Sequence, residues 1–176
     1  MGIPESSYAR IAYEAILLYV KTGEIRRKDN DKISPDLQIE SACFVIIYDR
    51  KDKIRSFYGA AQPLKDSLYE EILYAAQMAA KGTAGFKPLE DKELNEIRVE
   101  VLLVSELNSK DVMKSIKPGK EALLVEKDGQ MGLFIPGVHR AKTPDDIFKK
   151  ACKAGGMDGL KPEDCRLNSF RIAHYG

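Results

Sequence analysis

The chain carries only two histidines and three cysteines among 176 residues. His139 and His174 lie far apart, and Cys43, Cys152 and Cys165 fit no zinc spacing. With no His-x-x-x-His or Cys-x-x-Cys pair, the sequence offers no metal site. An odd number of cysteines outside any disulfide framework reads as reduced thiols in a cytoplasmic protein. An excess of charge of one sign is also missing: 28 Lys and Arg face 27 Asp and Glu, a formal net charge of +1. That balance argues against nucleic acid and against an anionic membrane surface as partners. The most apolar stretches, Ala42 to Tyr48 and Val99 to Val104, are too short to span a bilayer. Met1 to Glu5 has neither the basic start nor the apolar core of a secretion signal. There is no Gly-x-Gly-x-x-Gly, no Walker loop and no Gly-x-Ser-x-Gly elbow. No cofactor is therefore expected, and no reaction can be read from the residues alone.

What is present is ample core-forming material. Hydrophobic residues make up 44% and charged residues 31%, at a length suited to one domain. Tyr8, Ile11, Ala12, Ala15, Ile16 and Tyr19 repeat at helical spacing behind Ser6 or Ser7 as cap. A polar loop with Arg26, Arg27 and Lys28 follows, read as a solvated charge cluster. Ser41 to Tyr48 is a strand buried on both faces, and a polar turn at Asp49 to Asp52 joins it to Lys53 to Tyr58 as an antiparallel hairpin. Ser67 and Glu70 form a capping box for an alanine-rich helix that ends at Gly82 and Gly85. A short helical piece spans Glu90 to Asn95, and a long strand runs from Glu96 to Leu107. A short helix covers Ser109 to Ile116. A second hairpin turns on Asp128-Gly129. Thr143-Pro144 opens a helix that stops at Gly155-Gly156, and Arg166 to His174 is the last strand. Interspersed helices with directly joined strands predict an α+β fold with a mostly antiparallel sheet.

Lys53 to Pro63 is the natural place to look for a site. It is a strand that ends at a small-residue turn, where polar groups can be presented. Glu100 is the second candidate, because a carboxylate among apolar residues on a central strand needs a partner, and arginine is the natural one. The expected pairing is Arg55 with Glu100.

Several pieces, weak singly, recur together in the order of a known family. They include Phe44-Val45, Phe86-Lys87-Pro88-Leu89 before Ile97-Arg98-Val99-Glu100-Val101, and Leu124 to Gly129 with Gly132-Leu133-Phe134-Ile135-Pro136. Cys152-Lys153-Ala154-Gly155-Gly156 and the closing strand complete the series. In this the chain resembles the AMMECR family from about Tyr8 to Tyr175. The family's hallmark, Leu-Arg-Gly-Cys-Ile-Gly, aligns with Ile54-Arg55-Ser56-Phe57-Tyr58-Gly59. Arg55 and Gly59 match, Ser56 replaces a glycine, and Phe57 replaces the cysteine. The resemblance implies one domain over residues 1–176, with an antiparallel sheet, flanking helices and a smaller α/β subdomain. It puts the motif strand near a groove between the parts. It also implies a protein partner of the MEMO-type or radical SAM kind. The expected ligand-binding residues are Arg55, Ser56, Phe57, Tyr58, Gly59 and Glu100. The expected role is to bind a protein partner or small ligand beside the motif strand. The alternative is an enzyme acting on a small anionic substrate with residues other than the missing cysteine, since Phe57 cannot act as a nucleophile.

Overall fold

The computed structural model describes residues 4–25, 33–83 and 85–176. The Arg26-Arg27-Lys28 cluster lies outside them. The chain divides into two compact units, Met1–Val104 with Ala173–Gly176, and Ser105–Ile172. Hydrogen bonding orders six strands as β2-β1-β3-β6-β4-β5. They are β1 (Cys43–Tyr48), β2 (Ile54–Gly59), β3 (Arg98–Asn108), β4 (Ala122–Lys127), β5 (Gln130–Phe134) and β6 (Arg166–Tyr175). The helices are α1 (Ser7–Thr22), α2 (Leu68–Lys81), α3 (Val112–Ser115) and α4 (Pro144–Ala154). The fold is α+β with an antiparallel sheet, as the residue pattern predicts.

In the first unit, β1 is central and every one of its residues is buried. It pairs antiparallel with both β2 and β3. Cys43, Val45 and Ile47 share one face with Val99 and Val101, and α1 and α2 pack on it. The helices approach closely because their contact faces are alanine: Ala9, Ala12 and Ala15 in α1, Ala75, Ala76 and Ala79 in α2, none more than 4% exposed. The Ser6 side chain caps α1 and that of Ser67 caps α2, and Gly82 closes α2 in the left-handed conformation.

In the second unit the β4–β5 hairpin, extended by β6 paired antiparallel to β4, carries α4. Asp128 and Gly129 both take positive φ in the β4–β5 turn, at 49° and 80°, as that tight turn requires. Thr143 caps α4, with Pro144 in its first turn. The apolar face of α4, Ile147, Phe148, Ala151 and Cys152, joins Leu123, Val125 and Phe134 in the core.

Cys43 and Cys152 are both core residues, and burial pushes both thiols up, Cys152 to about 11. In a native-state reaction with an aromatic disulfide reagent, Cys165 should label first and the other two only on unfolding. Rapid labelling of Cys43 or Cys152 would contradict this packing.

Glu71 of α2 is buried in the first unit, near Cys43. Its Oε2 accepts from the Leu64 N–H at 2.9 Å, while Oε1 has no partner among the described residues. Burial raises its pKa above the ordinary 4.5, against the lowering effect of the Leu64 and Lys65 N–H groups. The folded state therefore holds this proton more tightly than the unfolded chain. Its stabilising effect is complete below the unfolded value and is lost as pH rises through the raised folded value. Glu71→Gln should gain on the wild type in urea unfolding between pH 4 and pH 8. A gap that stays constant with pH would refute the assignment.

Candidate functional site

The β1–β2 register pairs Ile47 with Ser56 and Tyr48 with Ile54, so Arg55 is the extra residue of a β-bulge. A bulge re-aims its side chain, and here it sends the guanidinium to the segment after α2. Nε donates to Glu93 Oε1 at 2.7 Å and Nη2 to Glu93 Oε2 at 3.0 Å. Nη1 donates to the Lys87 carbonyl at 3.1 Å and Nη2 to the Pro88 carbonyl at 2.9 Å. The arginine fork thus clamps residues 87–93 to the motif strand. The hydrogen bond from Arg55 holds Glu93 below the usual carboxylate range, helped by the Glu90 N–H, while burial opposes the shift.

The carboxylate that Arg55 meets is Glu93 and not the expected Glu100. The strand order explains this. Arg55 is on β2 and Glu100 on β3, with β1 between them. Glu100 instead accepts from the Tyr48 hydroxyl at 2.8 Å and contacts His174 Nδ1.

The rest of the motif strand faces inward or along the sheet. Ser56 is fully buried, its hydroxyl donating to the Ala79 carbonyl of α2 at 3.0 Å. Phe57 is fully buried and packs edge-on against Phe86 at 5.1 Å. Tyr58 is partly exposed and meets Tyr74 edge-on at 5.8 Å. At Gly59 a Cβ would lie 2.3 Å from the Cys43 carbonyl oxygen and 2.6 Å from Phe44 Cα. Of the motif strand, Arg55 therefore ties a loop to the sheet through four hydrogen bonds, and Gly59 leaves the space that a Cβ would close.

Beside Arg55 lies a polar cleft of ≈ 330 Å³, lined by Asp49, Arg50, Lys51, Arg55, Glu93, Glu96 and Ile97. Its charges are not equally available. Asp49 is occupied by the Lys51 and Lys53 N–H groups of its own turn, at 2.8 and 3.0 Å, and Glu93 by Arg55. Arg50 and Glu96 are 68% and 55% exposed and only loosely paired, at 3.7 Å, and Lys51 is exposed. Of the six residues expected to bind, only Arg55 lines this cleft. The turn Asp49 to Lys51 reads from sequence merely as a polar connection. Glu93 carried a usable signal in Glu90-x-x-Glu93, since the side chain of each does accept from the backbone N–H of the other. Among the described residues no group of three or more His, Cys, Asp or Glu side chains could hold a metal ion, and no helix is long and apolar enough to cross a membrane.

Comparison with known proteins gives consistent matches. Residues 9–175 match the model of the AMMECR1 family. Protein MK0488 of Methanopyrus kandleri is 27% identical over 175 residues, covering 92% of this chain and 82% of that protein. A Thermotoga maritima protein is 24% identical over 98% of this chain and 99% of its own length. Protein CA_C1420 of Clostridium acetobutylicum is 23% identical over 96% of this chain but only 35% of its own length. The crystal structure of PH0010 from Pyrococcus horikoshii superposes with a TM-score of 0.71 and 24% identity, over 95% of this chain and 88% of that one. That likeness shows the fold.

Proposed function

The chain belongs to the AMMECR1 family, and from that premise we propose that it binds a small anionic ligand in the cleft beside the motif strand. The observation that carries this reading is the exposure of Arg50 and Lys51 at the cleft, whose lining balances Arg50, Lys51 and Arg55 against Asp49, Glu93 and Glu96. Arg55 and Glu93 neutralise each other as its wall, and Asp49 turns Oδ1 to the N–H groups of its own turn while keeping its charge. Arg50 and Lys51 remain at the surface to meet an anion, with Glu96 able to accept from a donor on the same ligand. The cleft lining contains no cysteine, serine or histidine, so the enzymatic alternative rests on its carboxylates and Lys51 as acid–base groups. The family match runs through both compact units, which supports a single domain over residues 1–176. The three unpaired cysteines support a cytoplasmic location.

The protein partner implied by the family resemblance, of MEMO-type or radical SAM kind, is a second reading. It is favoured by the Clostridium relative, of which the matching segment is only 35%: a domain joined to further sequence there could act here beside a separate chain.

Titration with inorganic phosphate, followed by amide NMR shifts at low salt, tests the first reading. Exposed charge pairs are screened by salt, so ionic strength must be held fixed. The expected shifts cluster at residues 49–55 and 93–97. Shifts spread evenly over the surface lysines, or none at all, would overturn the site.

A further inference from the structure

A second recess lies in the first unit, along the outer face of α2. Glu70, Leu73, Tyr74, Gln77 and Met78 recur at the spacing of one helix face. With Ile25 and Lys65 they line a groove of ≈ 520 Å³. The alanines of α2 lie on the opposite face of the helix, in the core. None of the groove residues lines the Arg55 cleft.

The groove walls are held in place by contacts of their own. Leu73 is the most buried lining residue, and Tyr74, Gln77 and Met78 are half-buried. The Tyr74 ring has two partners. Lys65 Nζ lies 4.2 Å from its centroid, and Tyr58 of the motif strand meets it edge-on at 5.8 Å. The segment that bears Lys65 is fixed to α2 in turn, because the Leu64 N–H donates to Glu71 at 2.9 Å. Tyr58 therefore serves this groove as a positioning residue, acting through Tyr74.

Two charges border the groove, and they balance: Lys65 and Glu70. Each is already engaged, Lys65 with the Tyr74 ring and Glu70 with the Ser67 hydroxyl, which donates to it at 3.2 Å. A net charge on a ligand would gain from one and lose to the other. The uncharged polar group of the lining is the Gln77 amide, whose side chain makes no hydrogen bond among the described residues. It presents an N–H donor and a carbonyl acceptor side by side.

We propose that this groove binds an uncharged aromatic small molecule with an amide or lactam edge. The ring lies against Leu73, Tyr74 and Met78, where apolar side chains and a polarisable thioether suit an aromatic body. The lactam N–H donates to the side-chain carbonyl of Gln77, and the lactam carbonyl accepts from its NH2 group. The volume falls within the range of small-molecule sites, about 300–1,000 Å³. This groove is independent of the anion-binding cleft, and either can fail without the other.

The probe is 2-quinolone, a neutral bicyclic lactam. Titrated into the full chain at neutral pH and followed by amide and methionine-methyl NMR, it should shift Met78 and residues 65 and 70–78, while residues 49–55 and 93–97 stay still. N-methyl-2-quinolone keeps the ring and the carbonyl but has lost the N–H. It should bind the wild type about tenfold more weakly. In Gln77→Leu, a substitution by a good helix former on a half-buried face, the two compounds should bind alike. Shifts spread over the whole surface, or none up to about 1 mM, would overturn the site. Equal affinities of the two compounds for the wild type, or a tenfold difference that persists in folded Gln77→Leu, would overturn the ligand class.

Discussion

Arg55→Ala should lower the unfolding free energy by about 2–3 kcal/mol, measured by far-ultraviolet circular dichroism in urea. The side chain makes four hydrogen bonds, two to Glu93 and one each to the Lys87 and Pro88 carbonyls. Breaking a fully buried ion pair by removing one partner costs about 3–5 kcal/mol, because the other charge is left uncompensated. Here the side chains of Arg55 and Glu93 are 21% and 27% exposed. Water can reach the abandoned carboxylate, which sets the effect below that range. The loss extends beyond the pair, since residues 87–93 lose the anchor that fixes them to β2. Arg55→Lys should recover less than half of it. An ammonium can satisfy Glu93, but it cannot span the carboxylate and two carbonyls as a planar fork does. A loss of under about 0.5 kcal/mol for Arg55→Ala would mark the contact as an ordinary surface pair.

Gly59→Ala should be at least as damaging, for a different reason. A Cβ there would sit 2.3 Å from the Cys43 carbonyl oxygen and 2.6 Å from Phe44 Cα. Both are backbone atoms of the neighbouring strand, so no side-chain rotation relieves the clash. β1 and β2 must separate, or β2 must shift away from α2. The expected cost is about 3 kcal/mol, the upper end for an overpacked interior. For a chain of this size that corresponds to a melting temperature about 6–12 °C lower in a thermal scan. A fall under about 2 °C would mean the strand end can yield freely.

These two positions also show how much of the site was legible in the sequence. Helix caps and tight turns are local chemistry, and Ser67, Asp128-Gly129 and Thr143-Pro144 act as their residue types predict. The buried strand Cys43–Tyr48 was equally plain from its unbroken apolar run. The importance of Arg55 and Gly59 could be seen through the family hallmark, but the partners could not. Glu93 is 38 residues from Arg55, and only the bulge turns the arginine toward it. Glu100 does need a partner, as its apolar setting implies. Strand order decided which: β1 lies between it and Arg55, so its partners are Tyr48 of β1 and His174, 74 residues away. Ser56 and Phe57 were attractive by position on a motif strand, yet both point into packed interior. Alternation divides a strand into two faces without saying which is open to a ligand. Asp49, Arg50 and Lys51 look like any polar turn, and become a cleft wall only because Arg55 brings Glu93 opposite them.

The central claim is that the motif strand is a frame and that the turn beside it is the binding surface. The direct measurement is a phosphate titration by NMR at fixed ionic strength, comparing the wild type with the double variant Arg50→Gln, Lys51→Gln. Both substituted side chains are exposed, so the double variant should melt at the wild-type temperature while the shifts at residues 49–55 and 93–97 disappear. Unchanged phosphate shifts in the double variant would contradict the claim.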